Sequence, residues 1–208
     1  MFNQHNQIYT MKTPPLQLHK TRLSLFAALA ITLSGGVVAQ SMSDLGTLGG
    51  TNSSANGVSA DGSVIVGYSQ ITGDSAEHAF KYTGTTMSDL GTLGGTYSSA
   101  NGVSADGSVI VGYSYITGNN ASHAFKYSGG TMSDLGTLGG TYSSANGVSA
   151  DGSVIVGYSY ITGDSAQHAF KYTGTTMSDL GTLGGTYSSA NGVSADGSVI
   201  VGYSYITG

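Results

Sequence analysis

Three histidines, His78, His123 and His168, stand 45 residues apart, and each is followed by Ala-Phe. Imidazole at a fixed interval invites a metal centre, but zinc needs a second His or Cys at short spacing, and none lies near any of the three. Packing or hydrogen bonding within the local unit is the stronger reading. Four aspartates, Asp61, Asp106, Asp151 and Asp196, precede Gly62, Gly107, Gly152 and Gly197. Calcium takes about six to eight oxygen ligands. One carboxylate per turn is too few, even with Asp74 and Asp164 in neighbouring Gly-Asp-Ser segments. Asp-Gly is turn chemistry, and that role accounts for the pairs without a ligand.

Ser, His and Asp recur throughout, so a hydrolytic triad can be drawn on paper. No Gly-x-Ser-x-Gly elbow supports it, and near-identical units would offer several equivalent sites rather than one distinct pocket. The Gly-Thr-Leu-Gly-Gly segments are not phosphate loops, because no Lys follows and no helix begins there. They are expected to be flexible crossings between units. Tyr97, Tyr115, Tyr142 and Tyr160 are candidates for an aromatic row against a glycan or protein, with core or rim packing the stronger role. No catalytic residue, metal ligand or cofactor emerges from the residue pattern, and the chain reads as a non-enzyme.

What must position these residues is a 45-residue unit. Ser-Asp-Leu-Gly-Thr-Leu-Gly-Gly begins at Ser43, Ser88, Ser133 and Ser178. The copies are 43–87, 88–132, 133–177 and a partial 178–208. The first and third differ only at Asn52/Tyr142, Gln70/Tyr160 and Glu77/Gln167. Such a period signals a solenoid, propeller or array. Within one copy, Asn56–Ala60 is a short extended run and Asp61-Gly62 a turn. Ser63–Ser69 alternates, with Val64, Val66 and Tyr68 on one face and Ile65 on the other. Asp-Gly between two such runs predicts a type I′ hairpin. His78–Tyr82 forms a third strand with His78, Phe80 and Tyr82 on one face, as in the copies carrying Phe125 and Phe170. Thr86–Gly91 forms a fourth.

No stretch pairs a 3.6-residue period with helix formers. The expected fold is all-β, a propeller-like array of four-stranded antiparallel blades preceded by a signal helix. A β-solenoid with two coils per repeat is the alternative. Because the Val/Ile strand is apolar on both faces, each sheet needs a neighbour on either side. The last copy stops before its third strand, so the expected ring is open or strained, and an opening strand at Asp44-Leu45 has no partner.

Residues 1–39 read as a signal peptide, with Met11 an equally good start. Lys12, Lys20 and Arg22 precede an apolar run, Leu23–Leu33, which is too short for a bilayer span of about 20 residues. Val37-Val38-Ala39 then offers small residues for cleavage. The remainder, 40–208, holds three lysines against eleven carboxylates, a formal charge of −8. That balance excludes nucleic acid and anionic lipid as partners, since both need clustered Lys or Arg. No stable membrane span follows cleavage. There is no cysteine, so stability rests on strand pairing and packing.

The His-Ala-Phe triplets, together with the Asp-Leu-Gly-Thr-Leu-Gly-Gly and Gly-Val-Ser-Ala-Asp-Gly-Ser-Val-Ile-Val-Gly blocks, resemble the HAF family of extracellular repeats across 43–208. The resemblance implies a bacterial protein that is secreted or at the cell surface of a Gram-negative-type envelope, often as part of an autotransporter passenger. It brings no catalytic residues, and no C-terminal translocator pattern is present in the sequence. The expected function is that of a surface scaffold or binding module for an unidentified protein or glycan ligand. The alternative is an exported propeller enzyme, for instance a carbohydrate-active one, whose catalytic blade lies elsewhere.

Overall fold

A computed structural model describes residues 9–12 and 41–207, which form sixteen β-strands and no helix. Among these residues no helix is therefore long and apolar enough to cross a membrane. The leader's apolar run and its cleavage site, with the expected signal helix, lie outside the described residues.

Two short strands come first, β1 (Tyr9–Lys12) and β2 (Ser41–Asp44), paired antiparallel from Tyr9↔Asp44 to Lys12↔Ser41. Contrary to expectation the opening strand thus has a partner in the full chain, and that partner lies inside the segment read as a leader. The first blade is a meander of β3 (Gly49–Val58), β4 (Val64–Ile71), β5 (Glu77–Thr83) and β6 (Thr86–Asp89), each antiparallel to the next. The second comprises β7 (Gly94–Val103), β8 (Ile110–Ile116), β9 (Ser122–Ser128) and β10 (Thr131–Asp134). The third comprises β11 (Gly139–Val148), β12 (Ile155–Ile161), β13 (Gln167–Tyr172) and β14 (Met177–Asp179). The fourth contributes β15 (Gly184–Val193) and β16 (Ile200–Ile206).

The inner strand is longer than its apolar pattern suggests. Residues 49–51, expected in a flexible crossing, already belong to β3: Gly49 pairs with Ile71, and Leu48 makes a parallel bridge to the same residue. The Leu48 amide donates to the buried Ser69 hydroxyl at 2.9 Å, so the crossing is tied to its own blade. Register slips between Gly49 and Ser53, and again between Ala55 and Gly57, bend this long strand. Neighbouring blades join where the next inner strand begins. Glu77 of β5 pairs in parallel with Tyr97 of β7, and Ser122↔Tyr142 and Gln167↔Tyr187 repeat the link.

The core lies between blades, as the two-faced apolar strand requires. Val64, Val66 and Ala79 of the first blade pack against Ala100, Ile110 and Phe125 of the second. Val109, Val111 and Ala124 meet Ala145, Ile155 and Phe170 of the third in the same way. Phe80, Phe125 and Phe170 are fully buried wedges on the third strands, each removing a whole aromatic side chain from water. Glycine is obligatory at the centre of the second strand. A Cβ on Gly112 would drive into the Ser99 carbonyl of the adjacent strand.

Candidate binding clefts between blades

The Asp-Gly turns are built by side chains. Asp61 Oδ1 accepts the Ser59 hydroxyl at 2.7 Å, the Ser63 amide at 2.9 Å and the Ser63 hydroxyl at 2.8 Å. The Ser59 hydroxyl oxygen in turn accepts the Val64 amide at 3.0 Å. Gly62 is left-handed, with φ of 72°, whereas Asp61 is not. The turn is therefore not type I′, which needs positive φ at both central residues. Serines on either side recruit the carboxylate into a wider loop, closed by Gly62 N–H to Ser59 C=O at 3.0 Å. Asp106, Asp151 and Asp196 make the same bonds. Donors from Ser63 and Ser59 hold the Asp61 carboxyl at about 2, and Ser104 and Ser108 do the same for Asp106. Their partner glycines also seal the seam between blades, because Gly107 sits against Val64 and Gly152 against Val109 of the preceding blade.

Each His of the third strand hydrogen-bonds an aspartate of the fourth. His78 Nδ1 lies 2.8 Å from Asp89, His123 Nδ1 2.8 Å from Asp134, and His168 Nδ1 2.8 Å from Asp179. Asp89 Oδ1 also accepts the Gly91 amide at 2.7 Å, so the pair fastens the outer strand to the chain entering the next blade. No three His, Asp or Glu side chains gather into a metal-sized group among the described residues. Asp74 is committed elsewhere: its carboxylate accepts the Thr51 amide at 2.8 Å and the Thr51 hydroxyl at 3.1 Å. Asn119 and Asp164 cap the equivalent threonines, Thr96 and Thr141, and all three caps are left-handed.

Tyrosine collects on the same edge as these caps. Tyr97 and Tyr115 meet edge to face with centroids 5.8 Å apart, and Tyr142–Tyr160 and Tyr187–Tyr205 repeat the contact. Adjacent strands place each pair: Ser98↔Ser114 in β7 and β8 brings the preceding and following tyrosines side by side. Tyr97, Tyr142 and Tyr187 remain 42%, 40% and 39% exposed, and in the third pair Tyr205 is exposed as well. Behind them, on the face turned toward the next blade, lie Tyr113 and Tyr158. Burial pushes both phenols up, with the neighbouring tyrosines adding to the shift. In the first blade Asn52 and Gln70 occupy the positions of the pair.

The structure thus sorts the candidates. Phe80, Phe125 and Phe170 go to the core, the Asp-Gly pairs to the inter-blade turns, and the histidines to third-strand positions paired with aspartates of the outer strand. The four tyrosines singled out in sequence become two exposed pairs. The third pair, Tyr187–Tyr205, escaped that reading, although its 45-residue offset from Tyr142 and Tyr160 carries the signal. A set of inter-blade clamps also escaped it. Asn56, Asn101 and Asn146 each donate through Nδ2 to a carbonyl of the next blade, at Ala100, Ala145 and Ala190, all at 2.9 Å. Their constant place after Ser-Ser-Ala marked them as repeated, but no local pattern indicates a reach into the following unit.

No family model and no curated protein matches this chain. Among solved structures it is similar to TolB from Acinetobacter baumannii, at 17% identity and a TM-score of 0.51, over 74% of this chain and 37% of that one. It is similar also to a TolB candidate from Agrobacterium tumefaciens, at 17% identity and a TM-score of 0.57, over 80% of this chain and 60% of that one. TolB is a β-propeller, and the likeness shows a propeller-like fold here. The chain spans 37% and 60% of the length of these two structures.

Proposed function

We propose that this chain is a non-enzymatic, exported binding or scaffold module that presents exposed tyrosine pairs to a protein or glycan at the cell surface. The observation that carries the reading is the recurrence of the exposed edge-to-face pairs Tyr97–Tyr115, Tyr142–Tyr160 and Tyr187–Tyr205 at successive blades. A ring held by its neighbour loses little freedom on binding, and an aromatic face with a phenolic hydroxyl suits both sugar rings and protein surfaces. Equivalent tyrosine pairs in series favour a repetitive ligand, whose second contact is made at raised effective concentration. The net charge of −8 over 40–208 argues for a neutral or cationic ligand. The leader-like first 39 residues and the resemblance to HAF-type repeats support export and an extracellular setting, with an autotransporter passenger as one context.

The test is a glycan and surface-protein array probed with the labelled chain and with a Tyr97→Ser/Tyr142→Ser/Tyr187→Ser variant. The reading expects saturable binding to a ligand class, graded loss in single variants and near-complete loss in the triple. Binding that survives the triple variant unchanged, or no binding to any member of either array, overturns it.

A further inference from the structure

The tyrosine pair of the second blade has an acidic neighbour. Glu77 of β5 pairs in parallel with Tyr97 of β7, and Ser98↔Ser114 brings Tyr97 beside Tyr115 of β8. Residues opposite one another in a ladder share a face, so Glu77, Tyr97 and Tyr115 stand together on one side of the sheet. The two rings meet edge to face at 5.8 Å, with Tyr97 exposed and Glu77 half-buried. Tyr113 belongs to the same face of β8. Burial pushes its phenol up, and Tyr115 and then Glu77 add to the shift, as a carboxylate close to the rings would. Among the described residues Glu77 forms no hydrogen bond and no ion pair. Lys81, the lysine of its blade, is turned instead to the Gly107 oxygen at 3.2 Å. The third copy carries Gln167 at this place, and its Nε2 donates to the Ser188 oxygen at 3.3 Å. A carboxylate cannot donate, so at the first junction Glu77 and the corresponding Ser98 carbonyl are both acceptors. Both blades at this junction are complete.

We infer that Glu77, Tyr97 and Tyr115 form a site for a guanidinium group, the side chain of an arginine in a polypeptide partner. The inference rests on the proposed role of the exposed tyrosine pairs and names the chemistry that one of them takes. A guanidinium carries its N–H donors in a planar fork, which supplies the carboxylate while its face stacks on an exposed tyrosine. A lysine or amino-sugar ammonium brings the charge but no plane to stack, and a neutral sugar brings neither. The overall negative charge of 40–208 favours the approach of such a partner. Ser122 and Gln167 stand at the same place in the second and third copies, so the acid is confined to one junction.

The experiment titrates acetyl-Gly-Arg-Gly-amide into the full chain by calorimetry and by tyrosine fluorescence, the chain having no tryptophan. The same peptide with citrulline, which keeps the shape and loses the charge, is run beside it, as are a lysine peptide and a glucosamine oligomer. The expected result is one saturable site in the millimolar range, about tenfold weaker for citrulline and in the Glu77→Gln and Tyr97→Ser variants. Glu77→Gln installs the residue of the third copy and Ser122→Glu that of the first, so the fold accommodates both. Ser122→Glu is expected to add a second site beside Tyr142 and Tyr160. No binding, equal binding of the citrulline or lysine peptide, preference for the glucosamine oligomer, or arginine binding unchanged by Glu77→Gln or by Tyr97→Ser overturns the inference. An array ligand that needs Tyr97 but not Glu77 overturns it alone and leaves the proposed function standing. Array binding untouched by the triple tyrosine variant overturns both.

Discussion

Asn101 donates through Nδ2 to the main-chain oxygen of Ala145 at 2.9 Å, crossing from the inner strand of the second blade to that of the third. The backbone follows the same route nearby, where the Ala105 amide donates to the Ala150 oxygen at 3.0 Å. The blades are therefore joined by polar seams on the inner side and by apolar packing further out. Both kinds of contact recur every 45 residues.

Removing one seam has a defined cost. Asn101→Ala leaves the strand pairing intact but deletes a bond to a buried strand, and is expected to destabilise by about 1 kcal/mol. Asn146→Ala lies one blade away, and the two losses should add to within about 0.5 kcal/mol. Urea unfolding of the single and double variants checks both figures. An unchanged midpoint in the double variant would show that the seam contributes nothing.

Phe125→Ala and Phe170→Ala remove the wedges between blades. Each side chain is fully buried, and such truncations cost about 3–5 kcal/mol. The variants are expected to unfold at markedly lower denaturant, with Phe125→Leu intermediate. Thermal melts followed by tyrosine fluorescence report the order.

Two strand glycines should behave oppositely. Gly112→Ala collides with the Ser99 carbonyl and is expected to cost at least about 1–3 kcal/mol through forced backbone movement. At Gly102 the nearest atom to an added Cβ is a Val111 methyl at 3.4 Å, ordinary contact, so Gly102→Ala is expected to be close to neutral. Equal losses at the two sites would contradict the strand geometry given above.

Acid should loosen the Asp-Gly turns in a narrow window. The folded carboxyls of Asp106 and Asp151 sit at about 2, below the ordinary 3.8, because serine donors favour the charged form. A lowered folded value means that the contribution is complete above about 3.8 and is lost as pH falls through about 2. Near-ultraviolet circular dichroism between pH 5 and 1.5 is expected to show this loss. A variant with Asn at 61, 106, 151 and 196 should be less stable at neutral pH and show a smaller change across the window.

The period, the all-β class, the four strands of a blade and the third-strand position of His-Ala-Phe were legible in the residues alone. Each rests on local chemistry: alternation in Val64–Ser69, glycine at turns, and a second strand apolar on both faces that demands sheets on either side. Other features depended on partners distant in sequence. Leu48 and Gly49 read as linker until Ile71 and Ser69 are placed beside them. Asp61-Gly62 read as a two-residue turn because the pull of Ser59 and Ser63 on the carboxylate is a matter of three-dimensional reach. Whether Tyr97 is core or surface is invisible in strand alternation, since blade stacking decides which residues of a strand stay exposed. The repeating unit and its need for neighbours follow from short-range periodicity and could be read from the residues alone. Which side chains those neighbours cover depends on the stacking of blades: Asn101 and Phe170 are drawn inward, while Tyr97 and Tyr142 are left in water.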